Sequence, residues 1–213
     1  MASDGSMSTD GREQHWNSVY EDKGTTEVSW YQRTPEMSLA IIEPLAVAKD
    51  EAIIDIGGGA STLAASLLDQ GFTDLTVLDV SARALELAQD RLGPDARRVC
   101  WLREDVLSWT PGQAYALWHD RALFHFLVDP ASRQRYVETL LTGLARGGLL
   151  IIGTFALDGP DQCSGLPVAR YDAARLGAAL GKGFLLLDER REEHHTPIGA
   201  VQPFTWTTFR RQE

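Results

Sequence analysis

Cysteine is scarce in this chain: Cys100 and Cys163 are the two thiols among 213 residues. Two thiols cannot build the disulfide framework that small secreted folds rely on, so a reducing, cytoplasmic setting is expected. Long apolar runs are missing as well. No stretch approaches the roughly 20 residues that span a bilayer, so no membrane partner is expected. Dense Lys/Arg runs are lacking, and the formal net charge is −10. Such a chain repels a phosphate backbone on average, so nucleic acid is not expected as a partner either. The most basic stretch, Arg97–Arg103, reads as a buried strand with basic flanks. No internal repeat or low-complexity linker divides the chain. The first residues are small and polar, without the apolar core of a secretory signal. Residues 1–11 therefore read as a flexible leader and 12–213 as one domain.

The chain is 44% hydrophobic and 23% charged, ordinary values for a globular domain with a large core. Residues 12–22 form a helical pattern with Trp16, Val19 and Tyr20 on one face. Pro35 suits the first turn of a second helix, and Pro44 should end that helix near Glu43. From residue 52 the pattern alternates. Short apolar runs at 52–56, 75–80, 99–105, 115–120 and 147–156 read as buried strands. Helical segments at 62–70, 81–92 and 129–144 lie among them. Alternating strands and helices imply an α/β fold, a doubly wound and mostly parallel sheet with right-handed crossovers. The tail departs from that scheme. After a helix at 171–181, residues 183–196 and 200–211 read as two strands of an antiparallel hairpin around Thr196-Pro197-Ile198-Gly199.

The segment with the most chemical content is Asp55-Ile56-Gly57-Gly58-Gly59-Ala60-Ser61, placed between a strand and a helix. Glycines there let the backbone approach a ligand where a Cβ would collide. Asp79 closes the second strand and Asp105 the third. In open α/β sheets ligands bind beyond the carboxyl ends of the strands. Asp55, Asp79 and Asp105 should therefore face one crevice. A ribose diol suits Asp79, an adenine amino group suits Asp105 with help from the Val106 backbone, and a positively charged ligand suits all three. A pyrophosphate does not.

These residues resemble the class I S-adenosylmethionine-dependent methyltransferase superfamily. Asp55–Ser61 is similar to its glycine motif, with Ser61 at the last glycine position. Leu78-Asp79-Val80-Ser81, Glu104-Asp105-Val106, Trp118–Leu127 and Arg146–Phe155 occupy its later motifs. The resemblance spans roughly residues 12–211 and implies a seven-stranded sheet, S-adenosyl-L-methionine as cofactor and S-adenosyl-L-homocysteine as product. It assigns Asp55, Gly57, Gly59, Ser61, Asp79, Val80, Asp105, Val106 and His119 to the cofactor. It also makes residues 12–34 a cofactor lid, with Trp16, Tyr20 and Trp30 close to a cationic sulfur. The opening is similar, more loosely, to lysine methyltransferases acting on elongation factors or citrate synthase.

His119 and Asp120 end the fourth strand beside the expected methyl position and are the candidate catalytic pair, base and orienting group. Tyr31, His125, Cys163 and His195 are candidates for the acceptor side, with the irregular stretch 157–172 shaping the acceptor pocket. His125 also fits a core histidine, and Cys163 an inert thiol. Of the adjacent His194 and His195, at most one can face a pocket. No metal site is expected. A small-molecule acceptor is the favoured partner. A protein lysine, an NAD-dependent oxidoreductase and a non-catalytic nucleotide-binding subunit remain as alternatives.

Overall fold

A computed structural model describes residues 7–212. Seven strands form one sheet: β1 (Ile53–Ile56), β2 (Leu75–Asp79), β3 (Val99–Arg103), β4 (Tyr115–Arg121), β5 (Leu144–Phe155), β8 (Phe184–His195) and β9 (Val201–Arg211). Their order is β3-β2-β1-β4-β5-β9-β8, parallel through β5, with β9 antiparallel to β5 and β8 to β9. The helices are α1 (Thr9–Lys23), α2 (Glu36–Ile42), α3 (Leu63–Asp69), α4 (Ala82–Leu92), α5 (Pro130–Gly143) and α6 (Ala173–Leu180). They cover the two sheet faces, and a separate apolar cluster lies on each. No helix among the described residues is long and apolar enough to cross a membrane.

Local chemistry explains the boundaries. The Ser81 hydroxyl accepts the Ala84 N–H at the start of α4, and Asp129 and Asp172 do the same for α5 and α6. Each side chain satisfies one of the donors a helix start leaves free. Pro130 opens α5, where its missing N–H costs nothing. Gly93 and Gly181 end α4 and α6 at positive φ. Pro44 acts as its ring requires: α2 stops at Ile42 and a 3-10 turn, Glu43–Leu45, follows.

Three expectations are corrected. The helix over the N-terminal segment starts at Thr9, inside the stretch read as a leader; residues 1–6 of that reading lie outside the described residues. β3 is an edge strand, and of its five residues Val99 alone is buried. The stretch 157–172 is not wholly irregular. Within it β6 (Gln162–Cys163) pairs with β7 (Leu166–Pro167), and the two-residue link Ser164-Gly165 has φ of 49° and 77°. That is the backbone a tight hairpin turn of matching twist demands.

Alternation along β4 decides what reaches the site. Leu117 faces one cluster and Trp118 the other. His119 and Arg121 therefore share Leu117's face, and Asp120 shares Trp118's. On β5, Gly153 leaves room for the indole of Trp206 on β9; a Cβ there would lie 2.9 Å from three ring atoms. Trp206 is fully buried, so the ring has nowhere to retreat. Gly153→Ala should cost roughly 1–3 kcal/mol by overpacking. Thermal unfolding of the variant checks this, and an unchanged melting temperature would show that the sheet relaxes freely there.

Candidate functional site

The chain turns tightly after β1. Gly57 and Gly58 both donate to the Leu78 carbonyl on β2, and the Ser61 N–H returns to the Gly58 carbonyl. Gly57 and Gly59 hold φ of 64° and 45°, a region side chains disfavour. Arg91 on α4 supports the turn from behind, donating to the carbonyls of Ala60 and Ser61. The turn borders two adjoining cavities at the carboxyl ends of the parallel strands.

The larger cavity encloses about 910 Å³, counting its open mouth. One end is walled by Asp79, Val80, Asp105, Val106 and Leu107 from the tips of β2 and β3. The other is mostly apolar, with Leu123, Phe126, Phe155, Phe204 and Cys163; Arg121 is its charged group and Gln202 its neutral polar one. Asp79 is buried, and its Oδ1 accepts the Ser81 N–H at 2.8 Å. Burial, more than the Asp55 charge, raises the Asp79 carboxyl to about 7. The smaller cavity, about 540 Å³, is lined by Asp55, Gly57, Ser61, Tyr31, Trp30 and His119, together with Ser38 and Arg121.

Helix α1 and the chain after it roof the larger cavity. Arg12, Trp16 and Tyr20 recur every four residues and so share the helix face that lines it. The Arg12 guanidinium and the Thr9 hydroxyl both donate to Asp105 Oδ2, Thr9 at 2.8 Å. Asn17 accepts from the Ser81 hydroxyl and the Arg83 N–H at the start of α4. The Trp30 indole N–H donates to the Tyr20 hydroxyl, and the Trp16 ring meets Trp30 and Phe126 edge-on. Sequence reasoning overlooked Arg12 and Asn17, although their spacing from Trp16 and Tyr20 puts them on or beside the same face.

Placement divides the expected site residues. Trp16, Tyr20, Trp30, Gly57, Asp79, Val80, Asp105, Val106 and Cys163 line the larger cavity, and Tyr31, Asp55, Ser61 and His119 the smaller. Gly59 sits beneath, where an added Cβ would lie 2.9 Å from both Asp79 Oδ2 and the Tyr20 hydroxyl. Asp105 is largely engaged within the chain, its Oδ2 by Thr9 and Arg12 of α1 and its Oδ1 by the Leu107 N–H, which leaves Oδ1 the side still able to accept from a ligand.

The expected catalytic pair is divided between the two sheet faces. His119 is 2% exposed, its Nδ1 donates to Asp55 Oδ1 at 2.7 Å, and its Nε2 meets the Ser38 hydroxyl at 3.0 Å. Both ring nitrogens are engaged, and the ring does not reach the larger cavity. Asp120 lies on the opposite sheet face and lines neither cavity. It accepts from the Tyr136 hydroxyl at 2.7 Å and from the N–H groups of Leu123 and Phe124. It holds the loop after β4 in shape. His125 is fully buried behind the cavity wall, its ring against Phe126 and Phe155, and burial lowers it to about 3, so it stays neutral. His195 is exposed, whereas its neighbour His194 points inward and bonds the Ser29 carbonyl. Burial pushes the Cys163 thiol up, away from thiolate.

Ser38 and Arg121 were also missed. Ser38 carried no motif. Arg121 did carry a signal, since a cation two residues beyond His119 in a buried strand must share its face. Arg121 Nη1 donates to the Trp30 carbonyl at 2.9 Å, and its Nε and Nη2 are sealed from solvent with no partner among the described residues.

The buried carboxyls set a pH dependence. Asp79 at about 7 and Asp120 at about 6 are both raised above their ordinary value by burial. The folded chain thus holds these protons more tightly than the unfolded chain. Their contribution is fully present below the usual carboxylate range and fades as pH rises through 6 to 7. Buried His125, lowered to about 3, acts in the opposite sense below pH 6.5, so the readout is a difference: relative to Asp79→Asn, the wild-type melting temperature should fall between pH 5 and pH 8. A rise of wild type relative to Asp79→Asn over that range would contradict the assignment.

Comparison with known proteins agrees with this architecture. The sequence family described as "Methyltransferase domain" matches residues 53–148. A curated relative, the eEF1A lysine and N-terminal methyltransferase homolog of Drosophila melanogaster, is 23% identical over 141 residues. That stretch is 63% of this chain but 21% of the fly protein, so the chain spans about a fifth of that relative's length. A SAM-dependent methyltransferase from Anabaena variabilis superposes with a TM-score of 0.77 at 20% identity, covering 97% of this chain and 96% of that one. The 1,6-didemethyltoxoflavin-N1-methyltransferase of Burkholderia thailandensis, solved with bound 1,6-didemethyltoxoflavin and S-adenosylhomocysteine, gives a TM-score of 0.65 at 18% identity over 94% and 84% of the two chains. A methyltransferase-domain match that begins at β1, and a parallel sheet closed by a reversed hairpin, give the chain the fold of the S-adenosylmethionine-dependent methyltransferases it is similar to.

Proposed function

We propose that the chain transfers a methyl group from S-adenosylmethionine to a small-molecule acceptor bound at the apolar end of the larger cavity. The observation that carries this reading is the polarity of that cavity. Carboxylates and backbone line the end at the β2 and β3 tips, and aromatic side chains line the other. The residues present fit the cofactor. Buried Asp79 is an acceptor for ribose hydroxyls, and Val80, Leu107 and the Val106 backbone suit adenine. Asp55 and Ser61 in the smaller cavity suit a charged amino-acid tail. The close packing beneath Gly58 and Gly59, where an added Cβ would come within 3 Å of Asp55 or Asp79, keeps this backbone low enough for a ligand to lie against it.

When bound, the cofactor supplies an electrophilic methyl: the acceptor's lone pair bonds to carbon while the carbon–sulfur pair stays on sulfur. The chain's own residues have the tasks of alignment and drying. Trp16, Tyr20 and Trp30 roof the site with aromatic faces that favour a positive sulfur and exclude water. Asp55 and His119, locked to each other and to Ser38, act as positioning residues behind the smaller cavity.

A protein lysine acceptor is the second reading, favoured by the similarity to the fly protein and by Trp16 and Tyr20 in the opening. The buried guanidinium of Arg121 in the acceptor wall opposes it, because a lysine ammonium brought there would meet like charge.

Asp79→Ala should weaken S-adenosylmethionine binding by about tenfold or more, the loss of hydrogen bonds to a charged acceptor. Calorimetric titration checks this, and unchanged affinity would remove Asp79 from the ribose site. Release of S-adenosylhomocysteine should require small nucleophiles. Turnover on lysine-bearing proteins alone would exchange the two readings.

A further inference from the structure

We propose that Arg121 selects an acceptor bearing a negatively charged group, a carboxylate being the simplest, on an apolar body. The inference rests on small-molecule methyl transfer as read above and names the class of molecule that site takes.

A guanidinium carries five N–H donors and cannot shed its charge in a protein. In Arg121 the bond from Nη1 goes to the Trp30 carbonyl, while Nε and Nη2 are sealed from solvent and lack partners among the described residues. Buried charged donors left unpaired cost more than neutral ones, so a ligand group that completes them is bound with more gain than at a hydrated cation. Nearby protein anions are already engaged. Asp55 is held by His119. Glu192 accepts from the Trp206 indole at 2.7 Å and from the Gln32 amide at 2.9 Å. Both carboxylates favour the charged guanidinium electrostatically, against the burial that lowers it, but neither bonds it.

Position gives the ligand its second property. Arg121 lies at the end of the larger cavity away from Asp79 and Asp105, among Leu123, Phe155, Phe204 and Cys163. A single cation in an apolar wall makes a strong, directional contact to one anionic group, because little water competes. The cofactor's own carboxylate is the rival occupant, since Arg121 also borders the smaller cavity. The guanidinium carbon, however, lies 5.1 Å from the ring centre of Phe204, which lines the larger cavity and not the smaller. That side belongs to the acceptor.

The test uses wild type, Arg121→Gln and Arg121→Lys with paired probes: para-mercaptobenzoate against para-mercaptobenzamide, and para-hydroxybenzoate against para-hydroxybenzamide. In a productive turn the thiol or hydroxyl lone pair forms the bond to the methyl carbon, the proton passes to solvent and the cofactor leaves as the neutral thioether. Binding to protein loaded with S-adenosylhomocysteine is titrated, and release of S-adenosylhomocysteine from the methylated cofactor is followed. Wild type should prefer each acid over its amide by at least about tenfold. Arg121→Gln should lose that preference, and Arg121→Lys should keep part of it. The ratio of affinities for S-adenosylhomocysteine and methylthioadenosine, which lacks the amino-acid tail, should be the same in all three proteins. Equal behaviour of acid and amide overturns the inference, even if neutral small molecules are methylated and the broader reading stands. A collapse of the cofactor ratio in Arg121→Gln also overturns it, assigning the guanidinium to the cofactor. Turnover confined to protein lysines overturns both readings. Should Arg121→Gln fail to fold, the acid–amide comparison in wild type and Arg121→Lys still decides.

Discussion

From Gly57 to Gly59 the backbone passes where no Cβ fits, and the rest of the site depends on that passage. A Cβ on Gly58 would lie 2.6 Å from Asp55 Oδ2, and one on Gly59 2.9 Å from Asp79 Oδ2. The turn therefore brings two buried carboxylates against bare main chain at the tips of adjacent parallel strands. Its amides are tied to the Leu78 carbonyl and its outer carbonyls to Arg91. A rigid, acid-flanked backbone surface results, and the neighbouring elements take their roles from it. Helix α1 covers it through Arg12 and Asn17, and β4 supplies His119 behind it and Arg121 beyond it.

Electrostatics divides the cleft into two chemically different ends. At the β2 tip, burial keeps Asp79 near 7, so its ionised form is costly until a ligand donates hydrogen bonds to it. At the β4 tip the situation is reversed, with a cation lacking an anion. A ligand set that supplies hydroxyl donors at one end and a negative group at the other relieves both. The aromatic roof between them, Trp16 with Trp30 and Phe126, suits the positive sulfur expected in the middle. The roof is itself held by polar contacts, Arg12 and Thr9 to Asp105 and Asn17 to Ser81 and Arg83.

Much of this was legible from residue order. The apolar run of β1 and its glycine turn, the Ser81 cap, the Pro44 stop and the two strands around Thr196–Gly199 all follow from local rules, because backbone chemistry there depends on neighbours in sequence. What failed depends on contacts distant in sequence. Asp120 was paired with its neighbour His119, but its partner is the Tyr136 hydroxyl on α5, beneath the other sheet face. Asp105 looked free because nothing in its own neighbourhood announced Arg12, 93 residues earlier. His195 and His194 were indistinguishable until the register of β8 against β9 put His194 inside. Arg121 could have been found, since its face follows from that of His119 by counting two.

Central to the account is an adenosyl group seated on the glycine turn with its ribose on Asp79. A crystal structure of the complex with S-adenosylhomocysteine tests that most directly. Both ribose hydroxyls should lie within hydrogen-bonding distance of the Asp79 carboxylate, with the sulfur turned toward the cavity end that holds Phe155 and Arg121. A ribose bound elsewhere, or a nicotinamide dinucleotide in its place, would contradict the account.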